Sequence, residues 1–292
     1  MKKHPIILGI VIFAAFGLVF FLSVYIITRM FHGGSVISLS DRVGVVEIEG
    51  PITDSRQTVK DIEEFVRDGS IRAIVLRIDS PGGGVAPSQE IYQAVLEAKT
   101  KKKVVASLGS IAASGGYLVA AAAEQIVANP GTITGSLSAV MYFPNVEELL
   151  KKLGVSSSVV KSGRFKDIGS PVRMMTKEEK LLLQELVDDI YDQFLEAVSS
   201  ARNIPRKELL KIADGRIFTG RYAKEAGLVD SLGDLGAAVR LAAKLAEIKG
   251  EPTVVYAKKK TSSWIEALLM NFAGTREILE KAFYPKANYQ YF

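Results

Sequence analysis

Residues 71–108 read "IRAIVLRIDSPGGGVAPSQEIYQAVLEAKTKKKVVASL", and the fold is decided there. The first nine positions are rich in β-branched and aliphatic residues, as in a buried strand. "SPGGG" (80–84) is a turn. A helix is expected from about residue 88 to 101, with Ile91, Val95 and Leu96 inward, and "KVVASL" (103–108) is the next strand. Strand, helix and strand in succession imply a parallel βαβ unit, and therefore an α/β domain.

The alternation continues on both sides. "RVGVVEIEG" (42–50) is an earlier strand, and residues 54–70 form an amphipathic helix with Val59, Ile62, Phe65 and Val66 on one face. Downstream, "SLGSIAASGGYLVAAAAEQ" (107–125) leads into a helix, 124–130 is a short buried strand, 145–154 a helix, and "VSSSVVKSG" (155–163) another strand. Thr176 opens a long helix to about Arg202 with a capping-box start, T-K-E-E. Helices are also expected over 205–213, 219–230 (with a turn) and 235–248, followed by a C-terminal strand from 251. Residues 258–285 form an amphipathic helix after Lys258–Lys260, to be packed on the body or a neighbouring subunit, or laid on a membrane through Trp264. An aromatic tail, "KANYQYF", ends the chain.

The N-terminus follows different rules. No charge occurs between Pro5 and Thr28, and residues 6–27 would make ~33 Å of helix at ~1.5 Å per residue, enough to cross a bilayer. The run exceeds the ~7–15 apolar residues of a cleaved signal peptide and lacks a small-x-small site, so a retained anchor is expected over 1–32, with 33–42 as linker. Lys2 and Lys3 before it, against Arg29 after it, favour a cytoplasmic N-terminus and an extracytoplasmic body in a single-pass cell-membrane protein. The uncharged stretch 104–123 is a weaker second span, because its serines and glycines insert poorly.

Composition removes several chemistries. Of the 37 basic residues, Lys2, Lys3 and Arg29 flank the anchor, which leaves the body near balance against 32 acidic residues, with no patch for nucleic acid. There is no cysteine, so the body is stabilised by its core alone, without thiol chemistry or zinc-thiolate sites. The 2 histidines, His4 and His32, both flank the apolar run. A Ser-His-Asp triad and a histidine-based metal site are therefore impossible within the body, and no cofactor is expected. A serine nucleophile here needs another base, and lysine is the known substitute.

Three stretches supply candidates. "DSPGGG" (79–84) stands at the carboxyl end of a buried strand, where Gly82 and Gly83 can present backbone N–H groups to an oxyanion, although such a turn is commonly only a turn. Ser114, in A-S-G-G-Y, lies at a helix start beside the Gly115 N–H; it is either a nucleophile or the helix cap, with Ser107 and Ser110 as competitors further away. "KSGRFKDIGSP" (161–171) offers Lys161 and Lys166, and lysines are ordinarily solvent-exposed charges.

With "NPGTITGS" (129–136), "MTKEEK" (175–180) and "ADGRIFTGRYAKEAGLVDSLG" (213–233), these motifs resemble the signal peptide peptidase A family, short form, serine peptidases of the Clp protease and crotonase-like superfamily. The resemblance runs from about Val43 to Ala246. It implies a crotonase/Clp protease-like ββα-superhelix domain over 43–250 beside the N-terminal transmembrane helix. It also implies Ser114 as nucleophile, Lys166 as general base, Ser136 as the hydroxyl orienting the lysine, and Gly83 and Gly115 as oxyanion donors. Members of this form assemble into bowl-like octamers with sites completed across subunits, and degrade remnant signal peptides. Leu118 departs from the family's usual second aromatic after the tyrosine. Asp167 is expected to be a polar neighbour. Rival readings are a non-catalytic membrane scaffold and a crotonase-like acyl-CoA enzyme.

Overall fold

The computed structural model describes residues 14–23 and 41–257, together with the backbone of 288–290. The chain divides into two compact units, Met1–Ser40 and Asp41–Phe292. Residues 14–23 are helical, within the run expected to be an anchor; the rest of that run lies outside the described residues. Among the described residues, no helix is long and apolar enough to cross a membrane. The expected helix over 258–285 likewise lies outside them.

The second unit opens with β1 (Arg42–Glu49), α1 (Arg56–Arg67), β2 (Ile71–Ser80), β3 (Gly82–Gly84), α2 (Val85–Lys99) and β4 (Lys103–Ala113). It continues through α3 (Gly115–Ala121), β5 (Gln125–Ala128), β6 (Ile133–Gly135), α4 (Glu147–Lys152) and α5 (Lys177–Arg202). The last elements are α6 (Arg206–Leu209), β7 (Ile217–Thr219), α7 (Gly220–Glu225), β8 (Ser231–Leu232), α8 (Leu235–Leu245), β9 (Thr253–Tyr256) and β10 (Asn288–Gln290). One sheet runs β7-β6-β4-β2-β1-β9, with β5 also on β4 and β8 on β5. Its pairings are parallel except β6 with β7, as a chain of βαβ units requires. The mixed α/β architecture expected from residues 71–108 is present.

Both faces of the central strands are covered. Ile74, Leu76 and Ile78 of β2 join the core beneath α1, α2, α3 and α5, while Ala73 and Val75 meet Ala238, Val239 and Ala242 of α8. Alternate side chains thus enter opposite apolar layers, which is why the strand reads as a nearly continuous apolar run. Residues 104–123, the weaker second-span candidate, are instead most of β4 and all of the buried α3. Close packing also uses glycine: a Cβ on Gly44 would lie 2.6 Å from the Phe65 ring, so α1 rests directly on β1.

One expected strand is absent. Residues 155–163 have no regular structure, and Val159 and Val160 are exposed. Their β-branched pattern finds no neighbouring strand among the described residues, and a lone strand leaves its backbone groups unpaired. Leu76, by contrast, is wholly buried. Leu76→Ala is expected to destabilise the body by ~2–5 kcal/mol, measured as a lower denaturant midpoint with unchanged slope.

Candidate active site

Strands β2 and β4 end at the same edge of the sheet, but not in step. Ile78 pairs with Leu108, whereas the next pair is Ser80 with Ala112, so β4 swells around Gly109–Ile111. Before the swelling β4 pairs with β5; after it, Ile111–Ala113 pair with β6. The groups freed by this bend are satisfied individually. Asp79 Oδ1 accepts from the Ile111 N–H at 3.1 Å, Thr132 Oγ1 donates to the Gly109 carbonyl at 2.7 Å, and Thr134 Oγ1 donates to the Ala112 carbonyl at 2.6 Å. Arg77 Nη1 donates to the Leu108 carbonyl at 3.1 Å. Asp79 sits so close that a Cβ on Gly109 would be 2.7 Å from its carboxylate.

The bend delivers Ser114 to a sharp strand-to-helix turn. Its φ of 54° and ψ of −120° are strained for a residue with a Cβ. Its N–H donates to the Gly135 carbonyl at 2.8 Å, and its own carbonyl accepts from Leu118 at 2.9 Å to start α3. Its side chain makes no capping hydrogen bond, which removes the reading of Ser114 as a helix cap. A serine held in a strained turn between a strand end and a helix is the arrangement of a nucleophile elbow. Neither competing serine has it: Ser107 accepts from Arg77 Nη1 at 3.1 Å, and Ser110 is exposed on the swelling.

Ser136 is one peptide from this contact, because the Gly135 carbonyl is the one that Ser114 engages. It is buried, also has a positive φ of 54°, and donates its N–H to the Arg216 carbonyl at 2.8 Å. Gly83 arrives from β2. The Gly82 carbonyl and the Gly84 N–H bond to Ile52, at 2.8 Å each, and a Cβ on Gly83 would come within 2.2 Å of the Ile52 carbonyl oxygen. The pleat therefore turns the Gly83 N–H to the other side. Gly115, as the first residue of α3, has an N–H outside the helix's own bonding pattern. Close approach holds the two segments together: a Cβ on Gly116 would be 2.8 Å from the Ser80 carbonyl.

The side of β3 facing away from Ile52 is occupied by the chain itself. β10 pairs antiparallel with β3, setting Tyr289 opposite Gly83, with Asn288 opposite Gly84 and Gln290 opposite Gly82. This strand pairing was not expected from the sequence.

The two candidate lysines separate clearly. Lys161 forms an ion pair with Asp167 and donates to the Arg164 carbonyl at 2.8 Å. Lys166 is exposed on the following turn, and its ammonium has no partner among the described residues. Ser114, Ser136, Gly83 and Gly115 converge at one edge of the sheet. Lys166 makes no hydrogen bond to either serine within the chain. Hydrogen bonds from Arg173, then Lys161, hold the Asp167 carboxyl well below the usual carboxylate range.

The family model for peptidase family S49 matches residues 97–249. The chain belongs to this family. A Clp protease model matches residues 40–132 of the same S49 chain. A Synechocystis protein named as a protease is 45% identical over 210 residues, 72% of this chain and 76% of the relative. A Methanocaldococcus jannaschii protein, also named as a protease, is 38% identical over 203 residues, 70% and 65% of the two chains. An Enterococcus faecium protein named as a signal peptide peptidase SppA is 33% identical over 221 residues, 74% and 64%. The S49 chain is a serine peptidase with a Clp protease-like α/β domain. Relief of the turn's strain gives a direct check on its geometry. Ser114→Gly is expected to be more stable to heat than Ser114→Ala by about 1 kcal/mol, after glycine's own entropic cost; equal stability would mean an unstrained turn.

Proposed function

We propose that this S49 peptidase cleaves short, extended, apolar peptides, remnant signal peptides among them, through a Ser114/Lys166 dyad. The observation that carries the reading is β10, which lies as an added strand along Gly82–Gly84 with Tyr289 opposite Gly83. An edge that pairs with an extended backbone suits a peptide substrate better than an acyl-CoA thioester.

In the proposed reaction the Ser114 hydroxyl attacks the scissile carbonyl while neutral Lys166 takes its proton. The N–H groups of Gly83 and Gly115 receive the developing oxyanion, where loss of one donor typically costs ~10²–10³ in rate. Collapse of the tetrahedral intermediate breaks the C–N bond, and Lys166 returns the proton to the leaving amine. The acyl-enzyme is then hydrolysed by water that Lys166 deprotonates. Ser136 orients the lysine amine.

Lys166 reaches Ser114 from a neighbouring copy in this reading. Leu149, Leu153, Val155, Val160 and Met174 leave the segment around Lys166 with an exposed apolar surface, the kind that a subunit contact covers. A closed homo-oligomer, of eight subunits as the family resemblance implies, would complete each site in this way. The body is proposed to lie outside the cytoplasm, held to the cell membrane by residues 6–27, where signal-peptide fragments are released. A second reading, an inactive scaffold of the same fold, draws on the separation of Lys166 from Ser114 within one chain.

The test is hydrolysis of an apolar fluorogenic peptide by the full chain in detergent. Ser114→Ala and Lys166→Ala are each expected to abolish turnover, and co-expression of the two variants to restore part of it through mixed oligomers. An inert parent favours the scaffold, while two fully active variants remove the dyad. Deleting residues 286–292 is expected to lower KM with little change in kcat, as removal of a competing strand requires; an unchanged KM would mean that the tail does not compete with substrate.

A further inference from the structure

Lys166 sits on a short turn at the surface, yet a general base needs a defined position. The turn's rigidity has an identifiable source. Arg173 donates from Nε to Asp167 Oδ2 at 2.7 Å and from Nη2 to the Asp167 carbonyl at 3.1 Å. Its Nη1 and Nη2 also grip Glu179, at 2.9 and 2.5 Å, and Nη1 donates to the Met174 carbonyl at 3.1 Å. All five N–H donors of the guanidinium are used.

Each partner belongs to a different part of the local chain. Asp167 is adjacent to Lys166 in sequence. Glu179 is in the first turn of α5, is only 3% exposed, and accepts from the Thr176 N–H at 2.8 Å within the capping box. Further along, α5 is fixed in the core by Ile190, Phe194, Leu195 and Val198. Arg173 therefore connects the turn carrying Lys166 to the rigid body through a buried carboxylate. Two further ion pairs, Arg164 with Glu178 and Lys161 with Asp167, bind the same turn. Of the cations at 161, 164, 166 and 173, Lys166 alone has no partner among the described residues.

We propose that Arg173 is a positioning residue for Lys166, clamping the turn that presents the lysine onto the start of α5. This rests on the Ser114/Lys166 reading. A lysine at 173 cannot substitute, because a single ammonium cannot span two carboxylates and two carbonyls in one plane. Hydrogen bonds from Arg173, then from the Thr176 backbone, lower the Glu179 carboxyl to about 2, so the clamp stays ionised through the neutral range.

Arg173→Lys in the full chain tests this, with size and melting temperature measured alongside turnover. The expected result is a kcat lower by ~10–100-fold with KM nearly unchanged, as for a displaced general base. Fluorophosphonate labelling of Ser114 supplies a double-mutant cycle: Arg173→Lys should slow labelling in the parent but cause no further slowing in Lys166→Ala. Parental kcat in Arg173→Lys, or equal slowing in both backgrounds, would overturn the proposal. Should Arg173→Lys fail to assemble, Asp167→Asn keeps the Arg173–Glu179 grip and loosens only the Lys166 side. It should lower kcat without dissociating the oligomer, and parental kcat there also overturns the clamp. Parental activity in Lys166→Ala would instead remove the dyad reading itself, an outcome separate from an inactive Lys166→Ala paired with a fully active Arg173→Lys.

Discussion

The change of register between β2 and β4 is the constraint on which the site depends. A strand paired uniformly along its length would carry Ser114 straight on past the sheet. Instead β4 gains residues between Leu108 and Ala112, exchanges β5 for β6 as its neighbour, and ends with Ala112 paired to Ser80 of β2. Such a distortion persists only because the freed backbone groups find partners in Asp79, Thr132, Thr134 and Arg77. These residues touch no reacting atom, yet they determine where the strained serine stands.

The strand-helix alternation was legible because it follows from a local rule, apolar strands covered on both faces, whereas the glycine run read as a turn over 80–84 is in fact the short strand β3 over Gly82–Gly84, paired with β10. The capping box at Thr176 was equally legible, its two reciprocal bonds being a property of four consecutive residues. The swelling in β4 was not. Gly109 in "SLGSIAA" is its only local mark, and the groups that fix it, the Asp79 carboxylate and two threonines, are distant in sequence. The same is true of β10, whose pairing with β3 depends on a glycine edge some two hundred residues earlier.

Residues 155–163 show the opposite failure. Their alternation satisfies the period of a strand, but period alone does not provide a neighbour, and a strand without one has nothing to bond. Val155, Val159 and Val160 are instead exposed near Lys166, the kind of apolar surface that a subunit contact would cover in the proposed assembly. Sequence reasoning misassigned this segment because periodicity is local, whereas a strand also needs a neighbour, and none stands beside it among the described residues.

The two halves of the proposed dyad site are stabilised by different physics. Ser114, Ser136, Gly83 and Gly115 are fixed by backbone bonds inside a packed layer, with contacts so close that Gly83 and Gly116 admit no Cβ. Lys166 has no such layer around it. Its turn is fixed by ion pairs, chiefly the five-donor grip of Arg173 on Asp167 and Glu179. Apolar packing would have required the turn to be buried, which would hide the amine that is exposed here. A charged clamp anchored at a helix start gives rigidity while leaving the lysine side chain in the open, which is what the proposed role of Lys166, acting on the site of a neighbouring copy, would require.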